Sequence, residues 1–514
     1  MTGAQAIVST LADNGVTACF ANPGTSEMHL VTALDNEPRI RSVLCLFEGV
    51  ATGAADGFAR ASGIPAMTLL HLGPGYLNAG ANIHNAKRAR SPMINVIGDH
   101  AVHHRGYDAP LTSDIKGLAG PNSNWLKSAD TPQETGALAS EAFMASLSDD
   151  PGPVSLLLPA DAAWTEGAEK GPVVSPPSRP KVPDAEIAKT AKALESADAP
   201  VLLINGSGVG EAGLQAAARL EGAGIKVFSD TFLHRQRRGA GLFAPQRLQY
   251  FAEGAIEELQ AFDLLVTAGT LSPVAFFAYP NTPSDLVPDG VKTLSLGGRE
   301  TDSADTLARL AQALGTNAAA GAPEYVMPDM PTGDLSGFTI GQSLTRHMPE
   351  NALVSEDGSI NGTMSYMTTG AARPHDWMML TGGSIGQGLP LALGAAIAAP
   401  DRKVIALTGD GAGMYTPQAL WSMAREQVDV TCVVFINNSY GILNIELART
   451  GAGNPGPTAK NMLSMGDPAI DWVQLSQSMG VPAVSVETTE AFDKALEETL
   501  AIKGPRLIAA HVTS

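Results

Sequence analysis

The sequence predicts an α/β fold of three doubly wound domains built on parallel sheets, and three observations carry that reading. Strand-sized apolar runs alternate with helical patterns along nearly the whole chain, at a spacing that suits βαβ crossovers. Two stretches break the alternation: 165–184 (TEGAEKGPVVSPPSRPKVPD), rich in Pro and polar residues, and 316–337, rich in Ala, Pro and Gly. Both read as surface linkers. Glycine is abundant (54 residues) and aromatic residues make up only 5%, a mix that favours close helix–sheet contact.

The linkers divide the 514 residues into 1–165, 184–316 and 337–514, each opening on a helix-like segment. In the first part Thr17–Ala21, Val43–Phe47, Ala66–His71, Met93–Ile97 and Val154–Leu158 read as buried strands. Gly49–Ala61, Gly80–Ala89 and Pro132–Leu147 read as the helices between them. In the second part strand Val201–Ile204 ends at a glycine-rich turn, Asn205–Gly210. The third part offers strands Ala352–Ser355, Val404–Gly409 and Thr431–Ile436, with an apolar helix at Leu389–Ala399.

Composition narrows the function. The formal charge is 33 − 52 = −19 with no run of Lys or Arg, so the chain lacks a basic footprint for nucleic acid. Leu389–Ala399, the longest apolar segment, is too short to span a bilayer, and the N-terminus lacks a basic segment followed by an apolar one. Cys19, Cys45 and Cys432 are far apart and suit buried thiols in a reducing compartment, so a cytoplasmic location is expected.

The sharpest chemistry lies in the third part. Strand Val404–Gly409 runs into Gly409-Asp410-Gly411-Ala412, and a helix opens near Pro417. Ligands in open α/β sheets bind beyond the carboxyl ends of strands, where glycine lets backbone amides approach a phosphate. Asp410 adds a hard oxygen ligand for Mg²⁺. The next strand ends at Asn437-Asn438-Ser439-Tyr440, and the 27 positions from Asp410 to Asn437 allow one crossover helix and a return to the adjacent strand end. Asp410, the Asn437 side-chain oxygen and a loop carbonyl can then hold one Mg²⁺ against a diphosphate.

This Gly-Asp-Gly followed after 25 residues by Asn-Asn resembles the diphosphate–Mg²⁺ motif of thiamine diphosphate (ThDP)-dependent enzymes. The whole chain resembles their decarboxylase and acetohydroxyacid synthase branch, which includes benzoylformate decarboxylase. The resemblance implies pyrimidine-binding, central and diphosphate-binding domains in that order, and a homodimer or homotetramer with each site between two subunits. It implies Asp410, Asn437 and the Ser439 carbonyl as Mg²⁺ ligands. Gly409, Gly411, Ala412, Tyr440, Gly358 and Ser359 would then lie at the cofactor's diphosphate end. Gly383 would accept from the aminopyrimidine amine. Ile385 would be the wedge that bends the cofactor, although read alone it fits a core residue equally well.

In the first part Glu48 follows an apolar strand and opens a helix lined with Ala51, Gly53, Ala54, Ala55 and Gly57. Read alone, it complements a helix dipole. The resemblance makes it the carboxylate that activates the cofactor through its pyrimidine ring, a reading helped by small neighbours that let another backbone pack around it. Asn22-Pro23-Gly24 resembles the family's Asn-Pro-Gly turn, and Thr25 stands where benzoylformate decarboxylase has a serine. Thr25 also suits a helix cap. His71 ends its strand where the decarboxylases carry a catalytic histidine. Gly73-Pro-Gly-Tyr-Leu-Asn78 instead resembles the GPGxxN turn of the synthases.

Two departures bear on the product. The decarboxylases have a second histidine from the central domain, and Ser272–Tyr279 here contains none. Slower protonation of the enamine makes carboligation to a second carbonyl more plausible. Pro110-Leu111 replaces the synthases' Phe-Gln pair, which weakens an assignment as acetolactate synthase proper. Asn205–Gly210 is compatible with FAD, yet a lone glycine-rich turn is weak evidence and a flavin is only a secondary expectation. His100, His103 and His104 share a loop without enough partners for zinc. Glu446 fits a substrate-facing acid or a solvated helix acid alike. The expected function is ThDP- and Mg²⁺-dependent, non-oxidative decarboxylation of a 2-oxo acid, with possible products extending to carboligation. The alternatives are acetolactate synthase, a flavin-containing oxidase and a silent ThDP-binding homologue.

Overall fold

The structure is a computed structural model in which residues 1–513 are described. Three sheets organise it. The N-terminal sheet comprises β1 (Ala18–Ala21), β2 (Arg41–Leu44), β3 (Ala66–His71), β4 (Met93–Asp99), β5 (Leu126–Ser128) and β6 (Pro153–Pro159), in the order β2-β1-β3-β4-β6-β5. All its pairings are parallel. β4 and β6 are buried along their whole length, as strands with helices on both faces must be.

The central domain contributes β7 (Pro200–Ile204), β8 (Lys226–Ser229), β9 (Gln236–Arg238), β10 (Gln246–Arg247), β11 (Leu264–Ala268) and β12 (Lys292–Ser295). Its own parallel sheet runs β10-β8-β7-β11-β12, without β9. The C-terminal sheet holds β13 (Leu353–Asp357), β14 (His375–Met379), β15 (Val404–Gly409), β16 (Val430–Ile436), β17 (Ala483–Val486) and β18 (Arg506–His511), in the order β17-β18-β16-β15-β13-β14-β9. The borrowed β9 pairs antiparallel with β14, Gln236 opposite Trp377 and Arg238 opposite His375.

In each sheet the strand order reverses at a central point: between β1 and β3, between β7 and β11, and between β13 and β15. A crevice opens at the carboxyl ends of the strands flanking such a switch point. The chain therefore carries three crevices.

One apolar core joins the N- and C-terminal domains. Helix Glu48–Ser62 crosses helix Gly388–Ala398, and a Cβ on Gly394 would fall on the Ala54 carbonyl oxygen while one on Gly57 would fall on the Leu391 carbonyl. A second core, with Leu202, Ile204, Val354, Trp377 and Phe435, joins the central and C-terminal domains.

Several elements differ from the sequence reading. β2 runs Arg41–Leu44, and Leu46 beyond it is 46% exposed, so the apolar run up to Phe47 is mostly connector. The Gly73–Asn78 segment is no turn: helix Leu72–Ala89 begins eight residues before the expected Gly80. Pro74 is tolerated because the first helical turn needs no amide donor there. Asp410–Gly413 is one short helical turn, and the following helix starts at Gln418 with Pro417 as its cap.

Candidate active site

The predicted site residues fall into two groups, each at a switch point. Asn22, Pro23, Gly24 and Thr25 follow β1, His71 ends β3, and Glu48 and Asn78 lie on the two helices beside them. Glu48, the first residue of its helix, is buried at 6% exposure, and its Oε2 accepts from Asn78 Nδ2 at 3.0 Å. No other described side chain donates to the carboxylate. A Cβ built on Gly75 would lie 3.5 Å from Oε1.

His71 Nδ1 lies 3.0 Å from Glu27 Oε2 and 3.0 Å from Ser26 Oγ. Glu27 is completely buried, accepts from Gly24 N at 2.7 Å, and also takes the Ser26 hydroxyl. With Nδ1 donating to that carboxylate, Nε2 is left as a proton acceptor. Gly24 is required here, since a Cβ would fall on the His71 ring. Thr25 is exposed at the start of the 3-10 turn Thr25–Glu27 and makes no side-chain hydrogen bond among the described residues. Ser26 and Glu27 were missed in the sequence, although an acid three residues after Gly24, placed to accept from its amide, was a signal for the second.

The C-terminal group gathers around β13, β15 and β16. Asp410, 4% exposed, accepts through Oδ2 from Asn438 N (2.7 Å) and Asn437 N (3.2 Å) and through Oδ1 from Gly411 N (2.9 Å). Burial raises its pKa against the pull of those amides. Asn437 Oδ1 accepts from Ser439 N at 3.1 Å, and a Cβ on Gly411 would lie 2.6 Å from the Tyr440 ring. Gly409 is half-buried at the end of β15, and Ala412 is buried in the turn that follows. Across the crevice Gly358 caps helix Ser359–Thr368, and a Cβ there would meet the Phe435 ring at 2.5 Å. Ser359 (φ 53°), Asn438 (φ 51°) and Leu72 (φ 48°, after His71) all hold left-handed backbone, the kind of strain that gathers at functional sites.

Gly383 (φ 77°) and the half-buried Ile385 occupy the turn after β14. Asp357 fixes that turn: its Oδ2 accepts from Gly386 N at 3.0 Å and Gly388 N at 2.9 Å, while buried Oδ1 has no hydrogen-bond partner among the described residues. Neighbouring Glu356 is buried, and burial pushes its pKa up to about 7. Neither acid was singled out in the sequence.

No hydrogen bond among the described residues joins the two groups within one chain. From Glu48 to Gly57, where the two helices cross, nine residues of helix span roughly 13 Å. At the third switch point Asn205, Gly206, Gly269 and Thr270 border a cleft of about 1010 Å³. Arg60, Arg88, Arg90, Arg179, Arg235 and Arg299 line it against the single carboxylate of Asp230. Burial and Arg60 push His234 beside it down to about 3.

Comparison with known proteins decides the family. Residues 1–123 match the N-terminal TPP binding domain of thiamine pyrophosphate enzymes, and residues 358–510 match their C-terminal TPP binding domain. The chain belongs to the thiamine pyrophosphate enzyme family. Among curated relatives, a Mycobacterium tuberculosis protein provisionally named acetolactate synthase large subunit IlvX is 47% identical over 516 residues, covering 100% of this chain and 99% of that one. Benzoylformate decarboxylase of Pseudomonas aeruginosa is 27% identical over 524 residues, 96% of each chain. The Rhodococcus jostii ThDP-dependent 4-hydroxybenzoylformate decarboxylase has the same fold, with a TM-score of 0.85 at 23% identity over 100% of this chain and 99% of that one. The crevices match a ThDP enzyme's needs: amide-lined glycine turns beside a buried carboxylate for a metal diphosphate, and a second buried carboxylate for a pyrimidine ring. No helix among the described residues is long and apolar enough to cross a membrane.

Proposed function

We propose that this ThDP enzyme catalyses Mg²⁺-dependent, non-oxidative decarboxylation of a 2-oxo acid, with carboligation to a second carbonyl as an added outcome. The observation that carries the reading is Glu48: a buried carboxylate with one oxygen tied to Asn78 and the other without a donor among the described residues. Bound ThDP supplies the nucleophilic carbon and the electron sink that let CO₂ leave.

The chain's own residues do the rest. Glu48 exchanges a proton with the cofactor's pyrimidine ring in a dry setting. Asp410, Asn437 and the Ser439 carbonyl hold Mg²⁺, with Gly409, Gly411, Ala412 and Tyr440 around the diphosphate and Gly358 and Ser359 facing it. Gly383 offers its carbonyl to the aminopyrimidine amine, and Ile385 supports the ring from behind. Asn22, Pro23, Gly24 and Asn78 shape the pyrimidine side. His71, oriented by Glu27, moves protons at the substrate through Nε2, and Thr25 or its neighbour Ser26 supplies a hydroxyl for the substrate's carboxylate. That no hydrogen bond among the described residues joins the two groups within one chain supports a homodimer or homotetramer in which each site takes one group from each of two subunits. Three free buried thiols support the cytoplasm as its compartment.

A second reading, acetolactate synthase acting on pyruvate, is favoured by the name of the mycobacterial relative. A flavin oxidase would use the arginine-lined cleft and purify as a yellow protein. To test the main reading, the chain is given ThDP, Mg²⁺ and a panel of 2-oxo acids, and CO₂ and the carbon product are identified. Glu48→Gln is expected to keep ThDP–Mg²⁺ binding and lose most turnover, and undiminished activity would overturn the mechanism. Asp410→Ala is expected to abolish metal-dependent cofactor binding.

A further inference from the structure

The glycine turn Asn205–Gly210 at the central domain's switch point spends its amides within the protein. Gly206 N donates to Asn205 Oδ1 at 2.7 Å, Gly208 N to Ser303 Oγ at 2.7 Å, and Gly210 N to Ser207 O at 3.0 Å. Helix Glu211–Gly222 follows, and Glu211 already supplies a negative charge to its N-terminus. Asp230, after β8, stands where a dinucleotide's ribose is held in such a fold. Its carboxylate accepts from Thr270 Oγ1 (2.5 Å), Thr231 N (2.7 Å) and Asn205 Nδ2 (3.1 Å). The groups that a dinucleotide would use are therefore engaged.

The arginines of the cleft divide into two sets. Arg60 is committed to Asp56 (2.7 and 2.8 Å), and Arg235 to Asp376 at 3.1 Å. Arg90 pairs with the exposed Asp150 at 2.7 Å, but its buried Nε has no partner among the described residues. Arg88 in the last turn of helix Leu72–Ala89, Arg179 in the 165–184 linker and Arg299 after β12 all line the same cleft. None of these three forms an ion pair or a side-chain hydrogen bond among the described residues. Burial lowers the pKa of Arg90; Asp150 and Glu300 oppose the fall, and the charges of Arg179 and Arg299 add to it. In a chain of net charge −19 this end of the cleft is a local excess of positive charge.

We propose that Arg88, Arg90, Arg179 and Arg299 form a binding site for a compact polyanion carrying two or more phosphate or carboxylate groups, and that this cleft is not a flavin site. Guanidinium forks hold both kinds of group bidentately. One exposed ion pair gains little in water, so the ligand must engage several forks at once. The cleft of about 1010 Å³ has room for it. Such binding is independent of the 2-oxo acid chemistry proposed above.

In the test the full chain, with ThDP and Mg²⁺ in excess, is titrated calorimetrically with fructose bisphosphate, tricarballylate, orthophosphate and FAD. At least one of the first two is expected to bind once per chain and at least about tenfold more tightly than orthophosphate, with affinity falling as salt is raised. The tighter of the two tells phosphate from carboxylate recognition. Arg179→Gln combined with Arg299→Gln should weaken that binding by about tenfold or more and leave ThDP affinity unchanged. Arg179→Lys, which keeps the charge and loses the fork, should give a smaller loss and serves if the double variant folds poorly. Orthophosphate binding as tightly as both polyanions overturns the proposal, and so does polyanion binding that the double variant leaves intact. FAD binding more tightly than either polyanion returns the cleft to a dinucleotide. A double variant whose subunits dissociate, from a natural chain that binds neither polyanion, makes these arginines a contact between copies and equally overturns the site.

Discussion

His71 owes its orientation to Glu27, a fully buried carboxylate with the Gly24 amide as a second tether. Glu27→Gln keeps the shape and removes the charge that favours Nδ1–H. The expected result is a fall in kcat of about 10- to 100-fold, the worth of one charge-assisted hydrogen bond, with ThDP affinity unchanged. Steady-state kinetics beside a cofactor titration check it, and full activity in that variant would reject the orienting role. Glu356 allows a pH prediction on the cofactor-free protein. Burial raises its folded-state pKa from 4.5 to about 7, so below 4.5 both states are protonated and the group costs nothing. Between those values the unfolded chain releases a proton that the folded one keeps, and stability falls as pH rises, levelling off above about 7. Glu356→Gln lacks this loss. Its advantage over the natural chain in urea midpoint should appear across that window and reach at most roughly 3 kcal/mol. At this scale the positions of Glu48, His71 and Asp410 in the fold were legible, because strand ends before glycine turns or helix starts can be read from pattern. Sequence alone singled out Thr25 and passed over Ser26, which meets His71 because a 3-10 turn rotates each successive side chain by about 120°. Asp357 and Glu356 were hidden because nothing in a linear sequence marks an acid that will be buried.

Helix Glu48–Ser62 shows what small residues do for an element. Its glycines and alanines were read as room for a second backbone, and helix Gly388–Ala398 fills that room, although about two turns beyond Glu48 rather than around it. Gly394→Ala would press a methyl onto the Ala54 carbonyl and push the helices apart. The expected loss is about 1–3 kcal/mol of stability, read as a lower urea midpoint. A weaker ThDP affinity should accompany it, because the same shift moves Glu48. An unchanged midpoint would mean that the crossing adapts without strain. Helix Leu72–Ala89 was legible only in its second half. Gly-Pro-Gly is ordinarily turn chemistry, and what overrides it is the packing of buried Tyr76, Ala79 and Ile83 on the first domain's core.

At the scale of the whole molecule the strand order explains why the binding features sit where they do. All three crevices lie at reversals of sheet order, and the sequence indicated the sheets without their order, since pairing partners come from long-range packing. The proposal that each site is shared between two subunits makes a sharp prediction. Co-refolding Glu48→Gln chains with Asp410→Ala chains, each inactive alone, should restore about one quarter of natural activity, because half of the random dimers are mixed and each mixed dimer keeps one intact site. Failure to complement, with mixed dimers shown to form, would put each site within a single chain. The three-residue strand β9 has a different implication, for inheritance. A linker at 316–337 has the look of a seam along which to exchange a central domain or divide the gene. Yet β9 travels with the central segment and closes the outer side of β14, so a C-terminal piece released at that seam would leave the edge at His375–Trp377 open to pairing with any other strand. Exchange of the middle third is therefore tolerated only by donors that bring an equivalent of Gln236–Arg238, which ties the history of the central domain to that of the sheet it completes.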